Sequence, residues 1–307
     1  MFNMRLDAYL AQEYPKYSRS AWAKLIRRGD VRVNREIAVS VSLNVTESDE
    51  VTVKENAQKP EGLDLPIIYE DDNVIVINKP AGVLTHAKGA LNEESTVADF
   101  IRSRTSLQDR VLQENNRFGI VHRLDRATSG VLIGAKNDET RKFLQKQFAE
   151  RKAKKTYLAI VEQVPTVIAR NERRTRPPHS DNFMIDLPIA RSPKKPSTFR
   201  VDPKGKPAVT DYRVMRVLKN GTALVELKPL TGRTHQLRVH LAYIGAPIVG
   251  DPLYNFAGSE PAKRERMFLH AASLEITIPA KPENLRKTFV AELPNDFQAK
   301  IKEGSDE

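Results

Sequence analysis

The sequence predicts an α+β protein: a small helical and β domain over residues 1–54, then a larger domain over 67–307 with a mixed, mainly antiparallel sheet flanked by helices. Three observations predict it. Short runs of alternating apolar residues follow one another with no helical segment between them, which argues against a doubly wound parallel sheet. The stretch 55–66 is polar and carries Pro60 and Gly62, as a linker does. The length, 307 residues, suits about two domains at roughly 100–200 residues each.

Each element has a local reason. Leu6 and Leu10 are spaced i, i+4, which marks a short amphipathic helix. Ser18 is the expected N-cap of a second helix and Gly29 its stop. Val31 and Val33 flank Arg32, and Val51 and Val53 repeat that alternation, so both are half-buried strands. In the larger domain, strands are expected at 67–69, 74–77, 131–135, 157–161, 211–218, 223–227 and 268–276. Helices are expected at 97–103 with Ser95 as cap, from Asp138 through Phe148 with Asp138 as cap, from Thr231 through His235 to Tyr243, and at 295–302.

Lys and Arg total 50 against 39 Asp and Glu, a net charge of +11 that favours a polyanionic partner. The positive charge is clustered. Arg19, Lys24, Arg27, Arg28, Arg32 and Arg35 face one acid, Asp30, across the second helix and the next strand. Lys146, Arg151, Lys152, Lys154 and Lys155 end a later helix, and a third cluster fills 170–176, within an Arg-rich stretch over 165–182. One such run is usually a solvated face; three together point to nucleic acid, which Lys and Arg hold through phosphates without reading sequence. There is no cysteine, which excludes disulfides, thiol nucleophiles and thiolate metal sites. No apolar run approaches the ~20 residues of a membrane span, and no apolar targeting segment opens the chain. A cytoplasmic protein with no membrane partner is expected.

The first 54 residues resemble the small RNA-binding domain of the S-four type. The resemblance rests on Arg5-Leu6-Asp7, on Ser18-Arg19, and on the run from Ile26 through Gly29, Val31 and Val33 to Asn34. Arg35 stands where that family has glycine, and Ser48-Asp49 replaces a Gly-Asp turn. The resemblance implies that Arg19, Lys24, Arg27 and Arg28 contact structured RNA.

The most informative stretch is GIVHRLDRATSGVLI, residues 119–133. A carboxylate beside arginines stays ionised at neutral pH, so Asp125 is equipped as nucleophile or base. An extended chain here would put Arg123 and Asp125 on one face. Thr128-Ser129-Gly130 suits a tight turn, with Gly130 free to take positive φ. A structural Asp125–Arg123 ion pair satisfies the same residue types. Four further segments are present: VINKPAG at 76–82, KTYLA at 155–159, KGKPAVT at 204–210 and LTGRTHQLRVH at 230–240. Together these resemble the RluA-type RNA pseudouridine synthases over roughly residues 64–295.

The resemblance implies an isomerase that converts uridine to pseudouridine within RNA with no cofactor and no metal. It assigns Asp125 as the catalytic aspartate, Tyr157 as a ring that stacks on the target base and assists proton removal from its C5, and Arg233 as the partner that orients Asp125. Arg123 would fill the gap left by the flipped nucleotide, and Lys79 would support the tyrosine and bind substrate. His235 and His240, five apart on a presumed helix, lie about 140° apart and chelate one ion poorly; with His122 they are expected to be structural or RNA-contacting. The expected substrate is large-subunit ribosomal RNA, with transfer RNA second, acted on by a monomer. A non-enzymatic RNA-binding factor and a metal-dependent nuclease are the alternatives. The first would be favoured by loss of Asp125, Tyr157 or Arg233, all present; the second needs a cluster of acids or histidines that the sequence does not show.

Overall fold

The computed structural model describes residues 3–15, 17–54, 62–87, 94–106, 117–165, 183–218, 221–255 and 266–304. The chain forms two compact units. One comprises Met1–Gly62 with His86–Thr96, the other Leu63–Thr85 with Val97–Glu307. Most of the expected linker and of the Arg-rich stretch, residues 55–61 and 166–182, lies outside the described residues.

The N-terminal unit holds β1 (Asn3–Arg5), α1 (Leu6–Glu13), α2 (Arg19–Arg28), β2 (Val31–Val33), β3 (Glu36–Ile37), β4 (Asn44–Thr46) and β5 (Val51–Val53). Leu6, Leu10, Trp22, Leu25, Ile26, Val31 and Val45 pack into one core. Ser18 caps α2 by accepting from Ala21 N–H, and Gly29 ends it in the left-handed conformation at φ 82°, as expected. β2 pairs antiparallel with β3 and β5. Asn34 and Arg35 join β2 to β3 with φ of 51° and 70°, the tight hairpin turn with both central residues left-handed. The departure from the family's glycine thus falls where a side chain is strained. Asn34 secures the turn by donating to Asp49 (2.6 Å) and accepting from Glu50 N–H (2.9 Å).

The larger unit is built on a nine-stranded sheet: β6 (Ile67–Glu70), β7 (Val74–Lys79), β8 (Ser129–Ala135), β9 (Lys154–Val161), β10 (Phe183–Asp186), β13 (Val209–Val217), β14 (Ala223–Pro229), β15 (Leu269–Ile278) and β16 (Leu285–Val290). Its order is β10-β13-β14-β9-β15-β8-β7-β6, with β16 paired to β15 beside β8. Every pairing is antiparallel except β15 with β8. A separate hairpin joins β11 (Ile189–Arg191) to β12 (Phe199–Val201). The alternation of a strand buried on both faces is visible in β7 and β8. Ile75, Ile77 and Leu132 pack on one face with Phe100 and Ile101 of α3 (Val97–Ser103). Val74, Val76, Val131 and Ile133 pack on the other with Leu144 of α4 (Asp138–Ala149). Among the described residues the unit also holds α5 (Gln236–Tyr243) and α6 (Asn295–Glu303). The mixed, mostly antiparallel sheet flanked by helices is the one the sequence predicts.

Two helix starts differ from expectation. Asn137, not Asp138, caps α4, accepting from Thr140 N–H at 2.9 Å; Asp138 pairs with Arg141 and Lys142 within the helix. α5 starts at Gln236, because Thr231 is used elsewhere: its hydroxyl accepts from Val209 N–H and donates to the Gln236 side chain.

Candidate active site

The loop 121–128 enters β8 and carries Asp125. Leu124 anchors it from below: its side chain is buried, and Thr85 Oγ1 donates to its carbonyl (2.8 Å) and accepts its N–H (3.3 Å). Thr128 N–H closes a turn onto the Asp125 carbonyl at 3.0 Å. The 76–82 segment braces the next residue. Gly82 N–H donates to Arg126 O (2.8 Å), Arg126 Nε returns a bond to Gly82 O (2.8 Å), and Lys79 Nζ reaches Arg126 O at 3.3 Å. Lys79 is wholly buried and also donates to the carbonyls of Pro80 and Val83. Burial pushes its ammonium down to about 7, while Asp125 acts in the opposite sense. Lys79 thus supports the aspartate loop through carbonyls, and among the described residues no hydrogen bond joins it to Tyr157.

Gly130 decides how β8 meets its neighbour. Its φ is +115°, and a Cβ there would sit 2.2 Å from Ala271 O. The closeness permits the parallel pairing Ala271↔Gly130, and Ala271 pairs on its other side with Tyr157. One row across three strands therefore sets Tyr157 at a fixed distance from the aspartate loop. Tyr157 packs between two core clusters. Burial, and next the charge of Asp125, raise its phenol pKa well above the usual value. The phenol is neutral at physiological pH, a form that offers a ring face and a hydroxyl rather than a phenolate base.

Asp125, Tyr157, Arg123, Lys155, Arg233, His235 and Arg238 all line one cavity of about 490 Å3. Arg238, not Arg233, pairs with Asp125. Its Nη1 donates to Asp125 Oδ2 at 3.2 Å, while Nε and Nη2 hold both oxygens of Asp251 at 2.7 and 2.8 Å. Arg238 is 5% and Asp251 0% exposed at the side chain, so this is an interior bridge. Burial alone would lower the guanidinium's pKa; Asp251 and then Asp125 outweigh it and leave it raised. Arg233 instead donates through Nε to Pro207 O at 3.0 Å. The reason is the late start of α5: Arg233 remains in the preceding turn, and Arg238 on the helix faces the aspartate loop. An arginine in the otherwise mostly apolar run from Leu237 to Leu241 was the signal in the sequence, since a buried arginine needs an acid.

His235 is the N-cap of α5, with left-handed backbone at φ 56°, a strained conformation for a non-glycine residue. Its Nδ1 meets Tyr254 OH at 2.8 Å and its Nε2 lies 3.8 Å from Asp125 Oδ2. Both contacts with Asp125 fall on Oδ2; among the described residues Oδ1 has no protein hydrogen bond. His122 and His240 are structural. His122 accepts from Ile133 N–H and stacks on Phe148, and burial takes its pKa down to about 3. His240 bonds Thr210 and Leu187 O and is pushed by burial to about 4. Arg123 is exposed at the rim. In the N-terminal unit, Lys24, Arg27 and Arg28 are exposed on α2, with Arg28 on Asp30. Arg19 holds both oxygens of Asp7, at 2.9 and 3.2 Å, so its guanidinium is also part of the scaffold there.

A sheet of this topology with an aspartate loop beside a tyrosine strand defines a class, and comparison with known proteins agrees. Residues 73–243 match the family described as RNA pseudouridylate synthase, and residues 4–51 match the S4 domain. The chain belongs to the RNA pseudouridylate synthase family, and is an RNA pseudouridine synthase with an N-terminal S4 domain. Among its relatives, the ribosomal large subunit pseudouridine synthase D of Borreliella burgdorferi is 36% identical over 311 residues, covering 96% of this chain and 87% of that protein. The protein of the same name from Xanthomonas campestris pv. campestris is 35% identical over 309 residues, covering 96% and 87%. The solved structure of human RNA pseudouridylate synthase domain containing 4 superposes with a TM-score of 0.56 at 26% identity, covering 78% of this chain and 92% of that one. Among the described residues no helix is long and apolar enough to cross a membrane.

Proposed function

We propose that this chain isomerises uridine to pseudouridine in large-subunit ribosomal RNA, with Asp125 as the catalytic carboxylate. The observation that carries the reading is the Asp251–Arg238–Asp125 bridge, which holds one carboxylate oxygen and leaves the other in a pocket beside Tyr157. In the reaction the bond from uracil N1 to ribose C1′ breaks, the uracil turns, and C5 bonds to C1′. C5 gives up its proton and N1 takes one, so atoms and electrons balance with no redox change and no call for a cofactor or metal.

On this reading the target nucleotide leaves its stack, at a cost of a few kcal/mol. Arg123, at the rim, takes its place in the stack with a planar guanidinium. Tyr157 supports the uracil by its ring. Arg238 keeps Asp125 charged and oriented. The exposed Lys24, Arg27 and Arg28 of the S4 domain bind RNA backbone. The chain is expected to act as a monomer. The choice of ribosomal RNA rests on the names of the relatives, and transfer RNA is the competing substrate.

The test is to incubate the purified protein, without added metal or cofactor, on unmodified ribosomal and transfer RNA and to map pseudouridines by carbodiimide-blocked reverse transcription. New stops in large-subunit RNA that vanish with Asp125→Ala and with Asp125→Asn are expected, with fold and RNA affinity kept. Stops that survive both substitutions would remove Asp125 from its role, and stops confined to transfer RNA would replace the substrate.

A further inference from the structure

The lysine-rich run at the end of α4 is sorted by the structure into two kinds of charge. Lys146 and Lys152 pair with Glu150, and Lys154 pairs with Glu275, its cross-strand neighbour. These are surface ion pairs of little consequence. Strand alternation turns the next residue the other way. Lys155 shares its face of β9 with Tyr157 and lines the same cavity as Asp125. A Cβ on Gly232 would lie 4.0 Å from Lys155 Nζ, which places the ammonium against the 231–233 turn. It is half-buried, and among the described residues no carboxylate or carbonyl partners it.

Arg151 joins it. The chain leaves α4 through a paired closure, Arg151 N–H to Phe148 O and Lys152 N–H to Gln147 O, which puts Arg151 at the left-handed position with φ 59°. Glycine ordinarily occupies that position without strain. An arginine stands there instead, lines the cavity, and likewise has no partner among the described residues. A half-buried ammonium without a counter-charge and a guanidinium on a strained backbone both lower stability, and both border the space beside Asp125.

We propose that Lys155 and Arg151 form a phosphate subsite that grips the phosphodiester next to the nucleotide entering the pocket. The subsite rests on the reading of this cavity as the seat of a flipped ribonucleotide. A phosphodiester supplies the missing negative charge to both groups. Its grip fixes the backbone about which the nucleotide turns toward Asp125.

The test measures affinity for an unmodified transcript of large-subunit ribosomal RNA at several salt concentrations, in Lys155→Met, Arg151→Gly and the control Lys154→Met, alongside pseudouridine formation by the parent. Each of the first two is expected to weaken affinity about tenfold and to flatten the slope of log affinity against log salt by about 0.7–1. Neither is expected to lower the thermal midpoint, since Arg151→Gly relieves the left-handed strain and Lys155→Met removes a half-buried charge with no partner among the described residues. Lys154→Met is expected to bind as the parent does. Losses below threefold, or an equal loss in the control, overturn the subsite. A parent that binds but forms no pseudouridine sinks the functional reading instead, while the salt slopes still decide the subsite.

Discussion

Replacing Arg238 by Lys keeps the charge and removes the bridge. The guanidinium makes three charge-assisted bonds at once, two to Asp251 at 2.7 and 2.8 Å and one to Asp125 at 3.2 Å. It also lies 5.0 Å over the Tyr254 ring. A single ammonium cannot span both carboxylates in this geometry and keeps one bond. Two lost bonds at about 1.5–3 kcal/mol each come to about 3–6 kcal/mol, in line with the ~3–5 kcal/mol for breaking a buried pair. Urea denaturation reads that loss. If the lysine settles on Asp251, Asp125 loses its orienting bond, and about 1.5–3 kcal/mol off transition-state stabilisation slows turnover roughly 10- to 100-fold. Single-turnover pseudouridine formation reads it. Arg233→Lys is the contrast: one bond to the Pro207 carbonyl is at stake, so stability should change by less than about 1 kcal/mol. An Arg238→Lys protein within 1 kcal/mol and threefold of the parent, or a larger loss of activity in Arg233→Lys, would refute the assignment of Arg238 as the partner of Asp125.

Other outcomes follow from the same geometry. Gly130→Ala combines a φ of +115° with a Cβ 2.2 Å from Ala271 O, so it should cost about 3 kcal/mol or more; a melting temperature equal to the parent's would contradict the close β8–β15 approach. His240 and His270 are wholly buried and each is held near 4 by burial. Their folded pKa values lie below the unfolded one, so the unfolded chain binds more protons between about pH 6.5 and 4, and stability falls as pH falls through that window. Each contributes a loss on the order of 2 kcal/mol between pH 7 and pH 5; equal urea midpoints at the two pH values would count against it. Removing residues 1–54 should weaken RNA binding and flatten its salt dependence, and an unchanged affinity at every salt concentration would rule out a role for the S4 domain in holding RNA.

Local rules are readable from residue order alone. The Ser18 cap and Gly29 stop of α2, the alternation in β2 and β5, the closely spaced strands of a mixed sheet, and the need for positive φ at Gly130 all depend on near neighbours, and all are found. The segments at 76–82, 119–133, 155–159 and 230–240 likewise marked the family. What residue order could not decide was which of two arginines five apart reaches Asp125. That choice depends on where α5 begins, and it begins after the 231–235 turn because Gln236 takes Thr231 Oγ1, Arg233 N–H and the β13 edge as partners. Asp251, which anchors Arg238, lies 126 residues after Asp125 in the chain and meets the site only through tertiary packing. That Lys79 braces the aspartate loop is decided only when the sheet closes over it and three carbonyls converge on its ammonium. The sequence determined the elements and the chemistry available, because those follow from neighbours along the chain; the tertiary structure decided which side chains hold Asp125, because contacts between distant segments exist only after the sheet has formed.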